Sequence, residues 1–372
     1  MKSIRRSSAV ITAIAAATAG LLAAGGAFAA GANAAPKAPA TFIGPLQHTK
    51  VLASTVPANG DVNPYGVAVI PRSAGSLHRG DVLVSNFNNK ANVQGTGTTI
   101  VQVSPAGKAT LFAQVTDKSC PGGVGLTTAL VALRGGWVVV GSLPTRNGAI
   151  SGPGCLIVLD QRGHVRATIA GHGIDGPWDM TALDQGRITE LFVTNVLGGI
   201  LGRHNSNGGT VQRLLITSAP GQPPRVLAST KIGSGFPART DPNALVIGPT
   251  GVGLGRNGTL YVADTLDNRI AAIPNSVFRR GDDGTGATVS KGGALKGQLG
   301  LAIAPNGNIL TVNGGNGNMV ETTPRGAQVA VRTVDRNSGG AGNLFGLAVK
   351  PGADAVYFVD DFGTANNLQL LF

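Results

Sequence analysis

The sequence predicts an all-β fold, a six-bladed β-propeller whose last blade is closed by the N-terminal strand. Three observations predict it. A pattern of glycine-flanked apolar strand, turn, second apolar strand and polar loop occurs six times. The last copy, near the C-terminus, is one strand short. An orphan strand stands before the first copy, and its string Val51-Leu52-Ala53-Ser54-Thr55 recurs at Val226–Thr230, where it ends a repeat unit. A missing strand at one end and a spare strand at the other describe a ring closed by its own termini.

The composition fits this class. Glycine accounts for 57 of 372 residues, charged residues for only 13% and aromatic residues for 4%. Such a chain is rich in tight turns and small β-branched strands, and no convincing amphipathic helix is found in it. Residues 1–35 read as a signal peptide. Lys2, Arg5 and Arg6 precede an uncharged, Ala-rich stretch, and Ala27-Phe28-Ala29 and Ala32-Asn33-Ala34 are both suitable cleavage sites. Residues 36–47 then form a short linker and residues 48–372 the propeller, exported to the periplasm or the exterior and expected to be monomeric. Export makes a disulfide between Cys120 and Cys155 the natural state of the two cysteines. The net charge is +12, yet the cations are scattered and no basic run is interleaved with aromatics. That speaks against nucleic acid as a partner.

The six inner strands open at Asn63–Val69, Gly122–Leu126, Gly176–Met180, Gly248–Val252, Gly297–Leu301 and Asn343–Leu347, about 46 to 72 residues apart at the marker position. The marker is Gly66, Gly125, Gly251, Gly300 or Gly346 in five copies and Asp179 in the third. Second strands follow, for example Trp137–Gly141 and Ile309–Val312. The closing blade is expected to combine Leu347–Val349, Val356–Val359 and Leu368–Phe372 with His48–Val56.

The segment Gly258–Ile270, with Leu260-Tyr261-Val262-Ala263-Asp264, and the segment Ala304–Asn313 resemble NHL repeats, and the wider group includes gluconolactonase-like six-bladed propellers. The resemblance covers residues 48–372 in rhythm and is sharpest in the fourth blade. It implies that ligands bind at the face formed by the loops between the second and third strands and by the connections between blades. It also implies metal ligands at several inner-strand positions before the marker. Here those positions are Tyr65, Val124, Trp178, Thr250, Leu299 and Phe345. None is Asn, Asp or Glu, a departure that argues against metal-dependent hydrolysis.

Candidate functional residues follow from this frame. Asn86, Ser142, Asn195, Asp264, Asn313 and Asp360 each follow a second strand. Asn and Asp at strand ends satisfy their own turns. The alternative is a ring of oxygen donors at the channel mouth for a sugar or a hard cation such as calcium. Tyr65, Trp178 and Phe345 either fill the channel or form a stacking platform. Asp179 is half-buried by position and must find donors or act as a ligand or general base. His172 with Asp175 or Asp179 is the one acid–base combination, and His204 is the other histidine that can reach this face. Asp179, Asp264 and Asp360 are the candidate metal ligands. Taken together, these features give a first expectation of a non-enzymatic binding or scaffold protein of the cell envelope or exterior, holding a protein or glycan over its Asn/Gly-rich face. The alternative is a metal-dependent lactonase-type hydrolase or lyase.

Overall fold

The computed structural model describes residues 40–372 apart from 117–118, 147, 199–204, 220, 243, 341 and 364. The expected signal peptide and His204 lie outside the described residues. Ala40–Phe372 form one compact unit.

Six antiparallel sheets make the blades, each numbered from its inner strand outward. Blade one is Val62–Val69, Val82–Asn88, Thr99–Val103 and Ala109–Gln114. Blade two is Leu126–Ala132, Val138–Ser142, Cys155–Leu159 and Val165–Ile169. Blade three is Pro177–Asp184, Ile188–Asn195, Asn205–Thr217 and Arg225–Asp241, with a fifth strand, Leu245–Ile247, folded back on the last. Blade four is Pro249–Leu254, Leu260–Asp264, Arg269–Ile273 and Ala287–Lys291. Blade five is Gln298–Ile303, Ile309–Asn313, Asn318–Thr322 and Gln328–Thr333. Blade six is Leu344–Val349, Val356–Asp360 and Asn367–Leu371, completed by Thr49–Ser54.

The ring closes as the orphan strand requires. Thr49 pairs with Leu371, Lys50 with Leu370 and Val51 with Gln369. His48 and Phe372 exchange backbone hydrogen bonds of 2.9 Å in both directions. Leu52 and Ala53 pack on the core cluster that also holds Tyr357, Val359 and Leu368. Part of the segment expected to be a linker is docked as well. Phe42, Ile43 and Leu46 are buried with Leu310, Met319 and Leu344. The fully buried Glu321 accepts 2.8 Å bonds from the N–H groups of Phe42 and Ile43.

Blades stack through their inner strands, and the marker glycines permit it. A Cβ at Gly346 would overlap the Tyr65 carbonyl of blade one, and a Cβ at Gly251 would overlap the Leu299 carbonyl of blade five. Small residues at this level let neighbouring inner strands approach backbone to backbone. Register corrects one assignment. Blade two carries a wider bulge, with Leu126 opposite Ser142 and Leu130 opposite Val140. Its equivalent of Asp179 is therefore Ala129, not Gly125. Blade three also differs from the other five, with a long third strand from Asn205 and an outermost strand running to Asp241.

The disulfide forms as expected. Cys120 and Cys155 are bonded with a Cα–Cα distance of 5.9 Å, and both are buried between blades one and two. Among the described residues no helix is long and apolar enough to cross a membrane.

Candidate active site

On the face chosen from the sequence, buried aromatics fill the ring axis, beside a cavity of about 360 Å³ that Thr265, Asn268, Leu299 and Phe345 help to line. Tyr65, Trp178 and Phe345 are each at most 2% exposed. The Tyr65 ring stacks between Phe87 and Phe345, with centroids 4.3 and 4.1 Å away, and Trp178 tilts against it at 5.9 Å. The fifth strand of blade three lies over this group, and Trp178 Nε1 donates to the Val246 carbonyl at 3.1 Å. The three aromatics thus form a plug rather than an open platform.

The residues expected to form a donor ring end their strands and mostly tie down connections elsewhere in the chain, while Asn86, Asp264 and Asn313 each keep one buried side-chain oxygen without a partner among the described residues. Asn86 Nδ2 donates to the Thr55 carbonyl at 2.9 Å. Asn195 Oδ1 accepts from the N–H of Asp175 at 3.2 Å. Asn313 Nδ2 donates to the Ala294 carbonyl at 2.8 Å. Asp360 accepts from Phe362 N–H and from Gln369 Nε2, both at 3.0 Å. Asp264 forms a buried ion pair with Arg269 at 2.7 Å. The oxygen that takes this bond also accepts Arg269 Nε at 2.9 Å. Burial raises Asp360 to about 6, and Asp335 nearby pushes in the same direction.

Carboxylates alone do not build a calcium site here. A calcium site takes six to eight oxygens from converging ligands. Among the described residues no three His, Cys, Asp or Glu side chains converge on one point. Asp264 is neutralised by Arg269, Asp360 is held by Phe362 and Gln369, and Asp179 has no carboxylate partner.

The ring axis is instead open from the opposite end. A cavity of about 540 Å³ runs along the inner strands, from Asp179 to the strand ends at Asp184, Leu254, Ile303 and Val349. Each inner strand pairs only with its own second strand, so its free backbone edge faces this channel. Leu130, Met180, Val252 and Leu301 border the cavity, but each is at most 5% exposed and packs its side chain into a core between blades, so polar backbone makes up at least as much of the exposed wall as apolar groups do. Arg134 and Asp184 stand at that mouth. Asp184 is held by the N–H groups of Arg134 at 2.5 Å and Gly186 at 2.8 Å.

Asp179 sits at the closed end, 8% exposed. Its placement follows from the bulge at the start of the inner strand, where pairing skips from Pro177–Asn195 to Met180–Val193. Thr194 Oγ1 accepts the Asp179 N–H at 3.1 Å and donates to the Thr250 carbonyl of blade four at 2.7 Å, stitching the two blades here. The carboxylate accepts Met180 N–H at 2.8 Å and Val252 N–H at 3.3 Å. Burial raises its pKa to about 8, and these two N–H bonds offset only part of that cost. A group poised near neutrality in a cavity can take up or release a proton at working pH.

The expected partners do not join it. His172 is exposed in the turn before blade three, with φ of 54°, and its carbonyl accepts Ser229 Oγ at 2.6 Å. Asp175 is raised by burial and does not line the channel. Among the described residues no hydrogen bond or ion pair links His172 to Asp175 or Asp179. The channel wall itself was not anticipated. Its signal lies in the inner-strand residues after the marker.

No family model and no curated protein sequence matches this chain. Solved structures do. A gluconolactonase from Xanthomonas campestris superposes with a TM-score of 0.56 at 13% identity, covering 88% of this chain and 93% of that one. A PQQ-bound aldose sugar dehydrogenase from Streptomyces coelicolor gives 0.55 at 17% identity, with 88% and 99% covered. The calcium-binding protein regucalcin from Agrobacterium tumefaciens gives 0.54 at 14% identity, with 86% and 92% covered. At these identities the likeness is one of fold, and the fold is that of gluconolactonase-like six-bladed propellers. The comparison corrects the first functional expectation. Neighbours over nearly the whole chain include a gluconolactonase and a sugar dehydrogenase, which favours the lactonase-type alternative over a non-enzymatic scaffold.

Proposed function

We propose that this chain is a lactonase-type hydrolase that works from the axial channel, with Asp179 as its acid–base group. The observation that carries the reading is the position of that carboxyl, at the closed end of a cavity of about 540 Å³ and poised at about 8. The gluconolactonase among the fold neighbours supports the reaction class. No step is routed through a metal.

The chemistry is water attack on a cyclic ester. Ionised Asp179 takes a proton from water as the water oxygen bonds to the lactone carbonyl carbon. The ring C–O bond then breaks, and Asp179 returns the proton to the departing ring oxygen, giving a hydroxy acid. Free-edge N–H groups of the inner strands are the donors available to the developing oxyanion. The base form is required, so activity should rise with pH and level off above about 8. The test is hydrolysis of a series of five- and six-membered lactones by the purified protein. Asp179→Asn should lower kcat/KM by roughly 10²–10⁴-fold. Equal activity in the variant, or no hydrolysis across the series, would overturn the proposal.

The proposal includes export, with residues 1–35 removed and the protein acting in the periplasm or outside. The buried disulfide between Cys120 and Cys155 supports an oxidising compartment. N-terminal sequencing of the protein from intact cells tests this. A start at Met1 would contradict it.

A further inference from the structure

We infer that the protein docks on anionic lipid surfaces through one corner of its channel-mouth face, where blades three and four meet, with Phe278 entering the interface. Two independent observations carry this. The first is the placement of charge. The turns joining first to second strands surround the mouth, and in five of the six blades they carry cations: Arg72, Arg79, Arg134, Arg187, Arg256 and Lys350. Of the nearby carboxylates, Asp81 is engaged by Gln102 Nε2 at 2.8 Å and Asp184 by backbone N–H groups. The exposed Asp354 lies on blade six, across the ring from blade three. Asp175, Asp264, Asp335, Asp360 and Asp361 gather on the opposite face. One end of the ring is therefore basic and draws anionic partners.

The second observation is Phe278, 76% exposed, in the turn between the third and fourth strands of blade four. That turn is tied down. Ser276 donates from its N–H and its Oγ to the Gly258 carbonyl at 2.9 and 2.8 Å. Arg279 Nε donates to the Pro274 carbonyl at 3.1 Å, and Arg213 of blade three donates to the Ser276 carbonyl at 3.2 Å. A phenylalanine held in water by a built turn adds nothing to the core and is free for a partner. Arg280 follows it closely, and the turn of Arg256 is the one that Ser276 bonds. Both arginines are exposed and have no side-chain hydrogen bond or ion pair among the described residues. Asp282 and Asp283 are engaged by Lys231 at 3.7 Å and Arg279 at 2.8 Å. Ile188, 40% exposed, stands beside Arg187 in blade three. A soluble polyanion would use the cations and leave Phe278 in water. An anionic bilayer uses both, with cations at the headgroups and the aromatic ring at the acyl boundary. This inference goes beyond the lactonase reading and does not rest on it, because docking needs no catalysis.

The test is co-sedimentation of the purified protein with vesicles of phosphatidylcholine, alone or with about 30% phosphatidylglycerol. The anionic vesicles should bind at least about tenfold more tightly, and raising salt from about 0.1 M to about 0.5 M should remove most of that difference. Phe278→Ala should weaken binding about tenfold. Each cation at the surface contributes about fivefold, so Arg256→Glu combined with Arg280→Glu should weaken binding by more than about a hundredfold. Lys90→Glu combined with Arg146→Glu changes the net charge equally on the opposite face and should leave binding within about threefold. All these side chains are exposed, so the variants keep the fold. Equal binding to the two kinds of vesicle, or equal losses from the two charge-reversed pairs, would overturn the inference. So would anionic-vesicle binding that Phe278→Ala leaves unchanged, which would mark the face as one for a soluble polyanion. Lactone hydrolysis without vesicle binding would sink this inference alone, and vesicle binding without hydrolysis would sink only the lactonase reading.

Discussion

Replacing Asp179 by Asn should reverse its effect on stability between acid and alkaline solution. In the folded protein burial raises the group from an ordinary 3.8 to about 8. The folded state therefore holds the proton more tightly than the unfolded chain, and stability is lost as pH rises from the unfolded value through the folded one. The loss amounts to about 1.4 kcal/mol per pH unit inside that window. Between pH 5 and pH 9 the sum is about 4 kcal/mol. Asparagine carries no charge and escapes this loss. It presents one acceptor where the carboxylate offers two, so one of the bonds from Met180 and Val252 weakens, at a cost of about 1 kcal/mol. The variant should be slightly less stable than the parent at pH 5 and more stable by roughly 3 kcal/mol at pH 9. Urea unfolding of both proteins across this range measures the difference, and the shifts of Asp360 and Asp361 cancel in the comparison. A difference that stays constant within about 0.5 kcal/mol would refute the idea that this carboxyl is uncompensated.

Two further outcomes follow from buried charges elsewhere. Arg269→Ala leaves Asp264 without its cation at 0% exposure, and chemical unfolding should show a loss of about 3–5 kcal/mol. A loss under about 1 kcal/mol would mean that the pair is not buried in solution. Glu321→Gln replaces the acceptor of the Phe42 and Ile43 N–H groups and of Asn308 Nδ2. It should cost roughly 1.5–3 kcal/mol and expose the segment before Thr49 to limited proteolysis. Unchanged protease resistance would contradict the docking of that segment.

The ring was legible because its evidence is local and repeated. The Val51–Thr55 strand matched a strand elsewhere, and each inner strand announced itself by glycine and β-branched residues. Register was harder. Gly125 fits the marker pattern by eye, but the wider bulge of blade two carries it past the level of Asp179 and brings Ala129 there. The strand Leu245–Ile247 is only three residues long and follows Pro242, so nothing local marked it as a cap. Its effect is large, since it helps to close the face on which the aromatics were expected to work.

The candidate site was half legible for a similar reason. Asp179 stood out because a carboxylate occupied a position kept small in the other blades. Its environment did not, because the channel is assembled from six segments far apart in the chain. Asn86, Asn195 and Asn313 looked equally suited to a turn and to a ligand, since the same side-chain oxygen and amide serve both. In the structure each bonds a backbone group 19 to 31 residues away, in the connection that leads to an inner strand.

The central claim is that Asp179 titrates near neutrality at the end of an open channel. A carbon-13 NMR titration of the aspartate carboxyls, with Asp179 assigned by its loss in Asp179→Asn, tests it directly. The midpoint should lie near 8. A midpoint at or below about 4, the range of an unperturbed aspartate, would contradict the account.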